Sequence, residues 1–240
     1  MLPSSINDVI FTRVADKKYL QRIVGGEVRF PNPAKRGFLF YGTYGSGKTT
    51  LAHLLPVLIE HCNAADAERT SYNWQYEYAG ETVSVTPNNG GKPSVRIAKQ
   101  IFTDCGKPNS NSSTTVVEHL SNAAMYSLDM LAVGGKFNHF ILDELDCWLS
   151  TSQAKLKAMI TSCPSWNVFY ITTNNVHKID GGIRSRCIEI ELNGGAVSEY
   201  LKVIRRDHER LADYSDAALS RVVQAACGDW RNLEDAMNRL

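Results

Sequence analysis

A run of nine residues, Gly42–Thr50 (GTYGSGKTT), constrains the folds open to this chain more than any other feature. The run fits the pattern G-x-x-x-x-G-K-[ST] of loops that bind phosphate groups. An apolar stretch, 37–41, precedes it, and the residues after it have the pattern of a helix whose N-terminus would face an anion. A glycine-rich turn with an incidental lysine is the alternative, but the order of strand, loop and helix favours phosphate binding.

The residue types in this loop suit the chemistry of phosphates. Glycines allow the backbone to curl until successive N–H groups point at phosphate oxygens. Lys48 would bring a compact positive charge to β and γ phosphates, and the Thr49 hydroxyl would ligate Mg²⁺. The predicted phosphate contacts are Gly42, Thr43, Tyr44, Gly45, Ser46, Gly47, Lys48, Thr49 and Thr50.

Composition is that of an ordinary globular protein, with 43% hydrophobic and 21% charged residues in 240. The formal net charge of +1 neither favours nor excludes nucleic acid as a partner. The six cysteines are scattered and include no C-x-x-C pair, so neither a zinc site nor a disulfide framework is indicated. We expect reduced thiols, no membrane span and no signal peptide, hence a cytoplasmic protein (nuclear in a eukaryote, in the host cytoplasm for a virus).

Apolar and β-branched runs alternate with helical periods, which predicts an α/β fold with a mostly parallel sheet flanked by helices. The predicted strands are 37–41, 100–103, 137–142, 168–172 and 187–192. The predicted helices are 17–24, 50–55, 116–132, 153–161, 197–211, 216–226 and 229–240. Between 72 and 99, aromatic or β-branched residues alternate with polar ones around a turn cluster at 86–93, which predicts a hairpin-like insertion.

Two acidic residues, Asp143 and Glu144, come directly after the predicted strand 137–142. Ligands of open α/β sheets bind at the carboxyl ends of the strands, where these side chains would lie. Asp143 would hold Mg²⁺ directly or through water, and Glu144 would orient and polarise an attacking water. An acidic pair after a strand is a weak signal alone, but together with the phosphate loop it is strong.

Three further segments carry weaker signals. Asn174 could hydrogen-bond the attacking water or a γ phosphate, although an Asn-Asn turn that ends a strand is the simpler interpretation. Arg184 and Arg186 would ordinarily be solvent-facing charges. Asp229 resembles an N-cap, which puts Arg231 in the first turn of the last helix, where a cation opposes the helix dipole and so indicates an anionic partner.

Taken together, these segments resemble the AAA+ ATPases, and within them the clamp-loader clade of replication factor C and T-even phage small subunits. GTYGSGKT is similar to Walker A, ILDE to Walker B, and Asn174 in ITTNN to sensor 1. The triplet 185–187 resembles the SRC motif, 228–231 resembles the G-D-x-R sensor 2, and 3–10 resembles the stretch that flanks adenine. The resemblance covers nearly the whole chain, and SRC and G-D-x-R are its specific signals.

The resemblance implies a P-loop AAA+ domain at 1–193, with 69–99 as a β-rich insertion, and a small three-helix lid domain at 194–240. ATP and Mg²⁺ are the implied cofactors, with Val9 and Ile10 at the adenine and Thr49 and Asp143 at the metal. The implied catalytic residues are Glu144, Lys48, Asn174, Arg186 and Arg231. Of these, Arg231 would clamp the γ phosphate from the lid, and Arg186 would reach into the next subunit.

The resemblance also implies a homo- or hetero-oligomeric ring or spiral of roughly five or six subunits. It would open or load a sliding clamp, or act with another replication protein, on primed DNA; hydroxyls at 112–115 are the DNA candidates, and a plain helix cap is equally consistent with them. The alternatives are a collar-less AAA+ DNA-remodelling or helicase-loading protein, and a non-catalytic scaffold, which the intact Glu144 opposes.

Three departures from the clade stand out: Leu2 in place of an arginine, the long segment 69–99, and an end at Leu240 where clamp-loader subunits continue into a collar domain. Without the collar we expect the case for clamp loading to weaken, but not the case for ATP binding.

Overall fold

The structure is a computed structural model that describes residues 5–79, 82–87, 95–96, 99–107, 113–125 and 136–240. Its strands are β1 (Gly37–Tyr41), β2 (Tyr72–Ala79), β3 (Thr82–Pro87), β4 (Val95–Arg96), β5 (Lys99–Asp104), β6 (Asn138–Asp143), β7 (Asn167–Thr173) and β8 (Cys187–Glu191). Its helices are α1 (Val14–Val24), α2 (Lys48–Asn63), α3 (Asp66–Ser71), α4 (Ser113–Met125), α5 (Ser150–Ser162), α6 (Gly181–Ser185), α7 (Val197–Asp207), α8 (Asp216–Ala225) and α9 (Trp230–Asn238).

The centre of the fold is a five-stranded sheet in the order β5-β6-β7-β1-β8, in which every pairing is parallel. Residues on β7 are buried along its whole length, as expected for a parallel strand covered by helices on both faces. The predicted α/β fold with a mostly parallel sheet is therefore confirmed. Because all five strands run the same way, their carboxyl ends meet at one edge of the sheet.

Successive side chains of the central strands point to opposite faces, and each face has its own core. Phe38, Phe40 and Tyr170 pack with α1 and α2 on one face, whereas Leu39 and Phe169 pack with α4 and α5 on the other. Two layers of helices thus cover the sheet and fix the strand ends that carry the acidic and polar residues.

The C-terminal helices α7, α8 and α9 share a separate apolar core. Tyr200 and Ile204 of α7 pack there with Leu233 of α9, and Ile10 from the N-terminal segment joins them. The N-terminal segment therefore contacts the C-terminal helices directly. The division of the chain into domains at 193/194 remains a prediction.

The hairpin predicted after α3 is present: β2 pairs antiparallel with β3, and β3 pairs with β4, in a separate three-stranded sheet. Most of the predicted turn cluster at 86–93 lies outside the described residues. The first residues of the predicted β-rich insertion 69–99 belong to the helix α3 instead of to a strand.

Several predicted helix bounds were wrong. The helix after the phosphate loop extends from Lys48 to Asn63 and continues through Pro56. Helix α4 begins at Ser113, three residues before the predicted start, and positions 126–132 of the predicted helix lie outside the described residues. The predicted helix 197–211 is broken at His208, where α7 gives way to a 3₁₀ turn at Glu209–Leu211. Among the helices described, none has the length and apolar character needed to cross a membrane.

Candidate active site

A cavity of about 290 Å³ lies at the carboxyl ends of β1, β6 and β7, where the C-terminal helices meet the sheet. The predicted residues that line it are Val9, Ile10, Tyr44, Gly45, Ser46, Gly47, Lys48, Thr49, Thr50, Asp143, Glu144, Asn174 and Arg231. Three predicted site residues, Gly42, Thr43 and Arg186, are not part of the lining. The structure thus gathers residues that are far apart in the sequence into one concave site.

The loop between β1 and α2 has the tight backbone path that its glycines predict. Gly42 has a φ of 143°, and a side chain at this position would come within 2.1 Å of the Leu192 carbonyl oxygen, so no larger residue fits. The Lys48 ammonium donates hydrogen bonds to the carbonyl oxygens of Gly42 (3.0 Å) and Thr43 (2.5 Å). The lysine is therefore folded back along the loop and lines the cavity.

The charge of Lys48 is held in a partly desolvated environment. Burial lowers the pKa of its ammonium group, and the nearby carboxylates of Asp143 and Glu144 oppose that effect. An anionic ligand in the cavity would add to the stabilisation of the charged form. The hydroxyl oxygen of Ser46 is buried in the same loop without a hydrogen-bond partner among the described residues.

The last helix rests on the phosphate loop. The Trp230 N–H at the start of α9 donates to the Gly45 carbonyl oxygen at 3.0 Å. Asp229 is the N-cap of α9, as its sequence pattern predicts, and accepts a hydrogen bond from the Arg231 N–H at 2.8 Å. The Asp229 carboxylate lies so close to Gly45 that a side chain on Gly45 would meet it at 1.9 Å. This contact places Arg231 at the cavity beside the loop.

The acidic pair is tied to the loop and to β7 by hydroxyl groups. Thr49 donates to the Asp143 Oδ1 atom at 2.8 Å, and Thr172 donates to the same oxygen at 2.6 Å. The Glu144 N–H donates to the Thr172 hydroxyl at 2.9 Å, and Glu144 adopts a left-handed backbone with a φ of 57°. Thr172 was not predicted, yet it contacts both acidic residues.

The donor set at Thr49 and Asp143 fits Mg²⁺, which binds one or two protein oxygens together with substrate phosphates and water. In the described part of the chain, no group of three or more His, Cys, Asp or Glu side chains is arranged to hold a metal. The remaining Mg²⁺ ligands would therefore be phosphate and water oxygens.

Arg186 lies away from the cavity, at the end of α6. Its guanidinium donates to the Gly182 carbonyl oxygen at 2.7 Å and to the Ser185 hydroxyl at 3.4 Å, and no carboxylate of the described residues forms an ion pair with it. Arg184, by contrast, makes two hydrogen bonds of 3.0 Å to the Glu189 carboxylate. The two arginines therefore differ in whether their charge is already neutralised.

The segment that carries Arg186 is held by the residues just before β1. The Lys35 ammonium donates to the carbonyl oxygens of Ser185 (2.8 Å) and Cys187 (2.7 Å), and the Arg36 N–H donates to the Arg186 carbonyl oxygen at 2.9 Å. The backbone on both sides of Arg186 is thus fixed.

A second cavity residue that was not predicted is Arg206 at the end of α7. It forms ion pairs with Asp8 and with its neighbour Asp207, and these carboxylates hold the pKa of its guanidinium above the ordinary value. The pair with Asp8 links α7 to the N-terminal turn beside Val9 and Ile10. In the sequence Arg206 is one of several charged residues on an amphipathic helix, and no motif marks it.

Of the predicted DNA candidates at 112–115, residues 113–115 lie at the start of α4. The helix begins at Ser113, so residues 113–115 form its first turn and not a cap that precedes it. Residue 112 and the side chains of Ser113 and Thr114 lie outside what the structure describes. The proposed DNA contact remains a prediction.

No protein-family model matches the chain. A similar curated sequence is the DNA polymerase III subunit gamma of Buchnera aphidicola subsp. Baizongia pistaciae, which is 24% identical over 233 residues. The alignment covers 96% of this chain and 55% of that subunit, so the chain spans about half the length of its curated relative.

Similar solved structures include the RuvB Holliday junction branch migration motor of Thermotoga maritima, with a TM-score of 0.61 and 17% identity over 97% of this chain and 62% of RuvB. A second RuvB structure from that organism has a TM-score of 0.62 and 16% identity, and the alignment covers 97% of this chain and 62% of the RuvB chain. At these identities the likeness concerns the fold. The resemblance inferred from the motifs is therefore confirmed as far as it concerns fold and sequence: this chain has the fold of these RuvB structures and is similar in sequence to a DNA polymerase III gamma subunit.

Proposed function

We propose that this chain is an AAA+ ATPase that hydrolyses ATP at subunit interfaces in a clamp-loader-like assembly of DNA replication. The observation that carries the proposal is that the phosphate loop, the acidic pair, Asn174 and Arg231 line the same cavity. A phosphate loop alone would support only nucleotide binding. An acidic pair, an amide and a cation from a separate helix support a hydrolytic site.

The residues have distinct roles in the proposed reaction. The loop N–H groups and Lys48 bind the β and γ phosphates, and Arg231 approaches them from α9. Thr49 and Asp143 would hold Mg²⁺, which would supply positive charge to the phosphates. Glu144 accepts a proton from the attacking water, and the Asn174 amide orients that water or the γ phosphate. The N-terminal segment with Val9 and Ile10 binds the adenine.

The similarity to a DNA polymerase III subunit supports a role in replication. On this proposal the chain assembles into a ring or spiral in the cytoplasm, contacts DNA, and acts on a sliding clamp or another replication protein. The position of Arg186, outside its own cavity and without an ion-pair partner among the described residues, supports a site completed by a neighbouring subunit.

The decisive experiment measures ATP hydrolysis by the purified chain alone, with primed DNA, and with primed DNA plus the sliding clamp of the same organism. We expect hydrolysis that primed DNA stimulates and that the clamp stimulates further. Stimulation by DNA without any effect or capture of the clamp would support the DNA-remodelling or helicase-loading alternative. Tight ATP binding without turnover under all three conditions would refute the ATPase and leave a nucleotide-dependent scaffold.

A further inference from the structure

We infer that Thr172 is a positioning residue of this site: its hydroxyl holds the Asp143 carboxylate in place for Mg²⁺ and fixes the backbone of Glu144. The inference rests on the proposed function, because it assigns a role within the same site. The side chain is 1% exposed and lines the cavity. The parallel register, in which Leu142 pairs with Ile171, brings Thr172 next to Asp143.

The direction of the hydrogen bonds at Thr172 follows from a count of protons. A threonine hydroxyl has one proton to donate and lone pairs that accept. The Glu144 N–H can only donate, so the hydroxyl accepts this bond at 2.9 Å. Its proton then goes to the Asp143 Oδ1 atom at 2.6 Å. A chain of two bonds, each of which polarises the other, therefore joins the two acidic residues through one side chain.

These hydrogen bonds determine which oxygen of the Asp143 carboxylate is available to bind a cation. The Thr49 hydroxyl also donates to Oδ1 of Asp143, at 2.8 Å, so that both hydroxyls share one oxygen. Oδ2 receives no hydrogen bond from the described residues. With Oδ1 held by two donors the carboxylate cannot rotate freely, and Oδ2 keeps a defined position as a potential Mg²⁺ ligand.

The same hydroxyl supports the residue proposed as the base. Glu144 has a φ of 57° and a ψ of 46°, a conformation that non-glycine residues adopt only when their surroundings hold them there. The bond from its N–H to Thr172 is one such restraint. Asn174 comes directly after the end of β7, two residues after Thr172, and also lines the cavity. The end of β7 thus connects the proposed γ-phosphate sensor to the proposed metal ligand and base.

Three variants separate the role of the hydroxyl from that of packing. Thr172→Val keeps the shape and removes the hydroxyl, whereas Thr172→Ser keeps the hydroxyl and removes the methyl group. Thr173→Val is the matched control, because Thr173 is fully buried and its hydroxyl makes an equivalent pair of bonds on the other face of β7. It donates to Asp146 at 2.7 Å and accepts from the Asn175 N–H at 2.9 Å.

The first measurement is calorimetric titration of each protein with a slowly hydrolysed ATP analogue, in Mg²⁺ and in EDTA; the second is kcat. For Thr172→Val we expect two losses of roughly 10- to 100-fold, one in kcat and one in the factor by which Mg²⁺ raises the affinity for the analogue. The affinity of this variant in EDTA should be unchanged. Thr172→Ser should stay close to wild type in both. Thr173→Val should lower the melting temperature but keep the Mg²⁺ gain.

The inference would be overturned if Mg²⁺ raised the affinity of Thr172→Val as much as that of the wild-type protein. It would also be overturned if Thr172→Ser lost as much of this Mg²⁺ effect as Thr172→Val. If valine prevents folding, the comparison of Thr172→Ala with Thr172→Ser gives the same contrast, since both lack the methyl group and only alanine lacks the hydroxyl. A wild-type protein that binds the analogue with Mg²⁺ but does not hydrolyse ATP would refute the proposed function, while the titrations would still decide the role of Thr172.

Discussion

Arg186→Ala is expected to leave nucleotide binding unchanged and to suppress ATP hydrolysis. The reason is its place in the fold: Arg186 lies outside the cavity of its own chain, so its removal leaves every lining residue in position. Its guanidinium makes hydrogen bonds to Gly182 and Ser185, and both of these partners are neutral. A charge held at a fixed place and without a carboxylate partner among the described residues is available to a neighbouring subunit.

The loss of stability expected for Arg186→Ala follows from these contacts, and the loss of rate follows from the proposed role in trans. Loss of the two hydrogen bonds that the charged guanidinium donates to neutral acceptors should cost about 1–2 kcal/mol each, which a folded domain of this size tolerates. An arginine supplied in trans to a γ-phosphoryl group is worth roughly 10³–10⁵ in rate, or about 4–7 kcal/mol of transition-state stabilisation. Arg184→Ala is the matched control, because Glu189 already neutralises that side chain. It should lower the rate far less.

The assay is steady-state ATP hydrolysis by Arg186→Ala, by Lys48→Ala, and by an equal mixture of the two. In the mixture, Arg186→Ala subunits keep the intact cavity and Lys48→Ala subunits keep the intact arginine. In a ring with head-to-tail interfaces and random assembly, the two meet at about one quarter of the interfaces. The mixture should therefore recover up to about a quarter of the wild-type rate, although each variant alone is inactive. If the two variants co-assemble and the mixture stays as inactive as each alone, the role of Arg186 in trans is refuted.

Three further predictions concern other parts of the chain. Glu144→Gln should bind ATP normally but hydrolyse it roughly 10²–10⁴-fold more slowly in a single-turnover assay, because an amide cannot accept the proton of the attacking water; turnover at the wild-type rate would exclude Glu144 as the base. Glu60→Ala should lower the free energy of unfolding by roughly 3 kcal/mol or more, measured by urea denaturation, because the fully buried carboxylate accepts two backbone N–H bonds and one from an imidazole; a loss below about 1 kcal/mol would contradict this. Alanine at Ser113, Thr114 and Thr115 together should weaken DNA binding with the fold intact by circular dichroism, and equal affinity at several salt concentrations would remove the candidate DNA contact.

Much of the cavity could be predicted because its residues belong to short segments whose chemistry is local. The phosphate loop needs glycines, a lysine and a hydroxyl at fixed spacing, and the apolar runs before Gly42 and Asp143 mark strand ends. Parallel strands bring such ends to one edge of the sheet, so a list of strand ends already approximates the site. Arg231 could be placed because Asp229 signals an N-cap and thereby fixes the first turn of α9.

Helix bounds were harder to predict, because tertiary packing competes with local signals. Pro56 would normally end a helix, but it lies inside α2 and is buried, as is Leu55 before it. The polar residues at Ser113 and Thr114 suggested a cap, and the structure has them inside the first turn of α4. Neither position carries a sequence signal that would have distinguished the two outcomes.

The residues that sequence reasoning missed have roles that depend on pairing in three dimensions. Thr172 is one of two consecutive threonines, and only the register between β6 and β7 determines which of them meets Asp143. A shift of that register by one residue would bring Thr173 there instead and turn Thr172 to the opposite face. Arg206 is held at the cavity by its ion pair with Asp8, which lies near the opposite end of the sequence. The motifs therefore identify which groups the site contains, whereas strand register and the contact between the N-terminal turn and α7 determine how those groups are held.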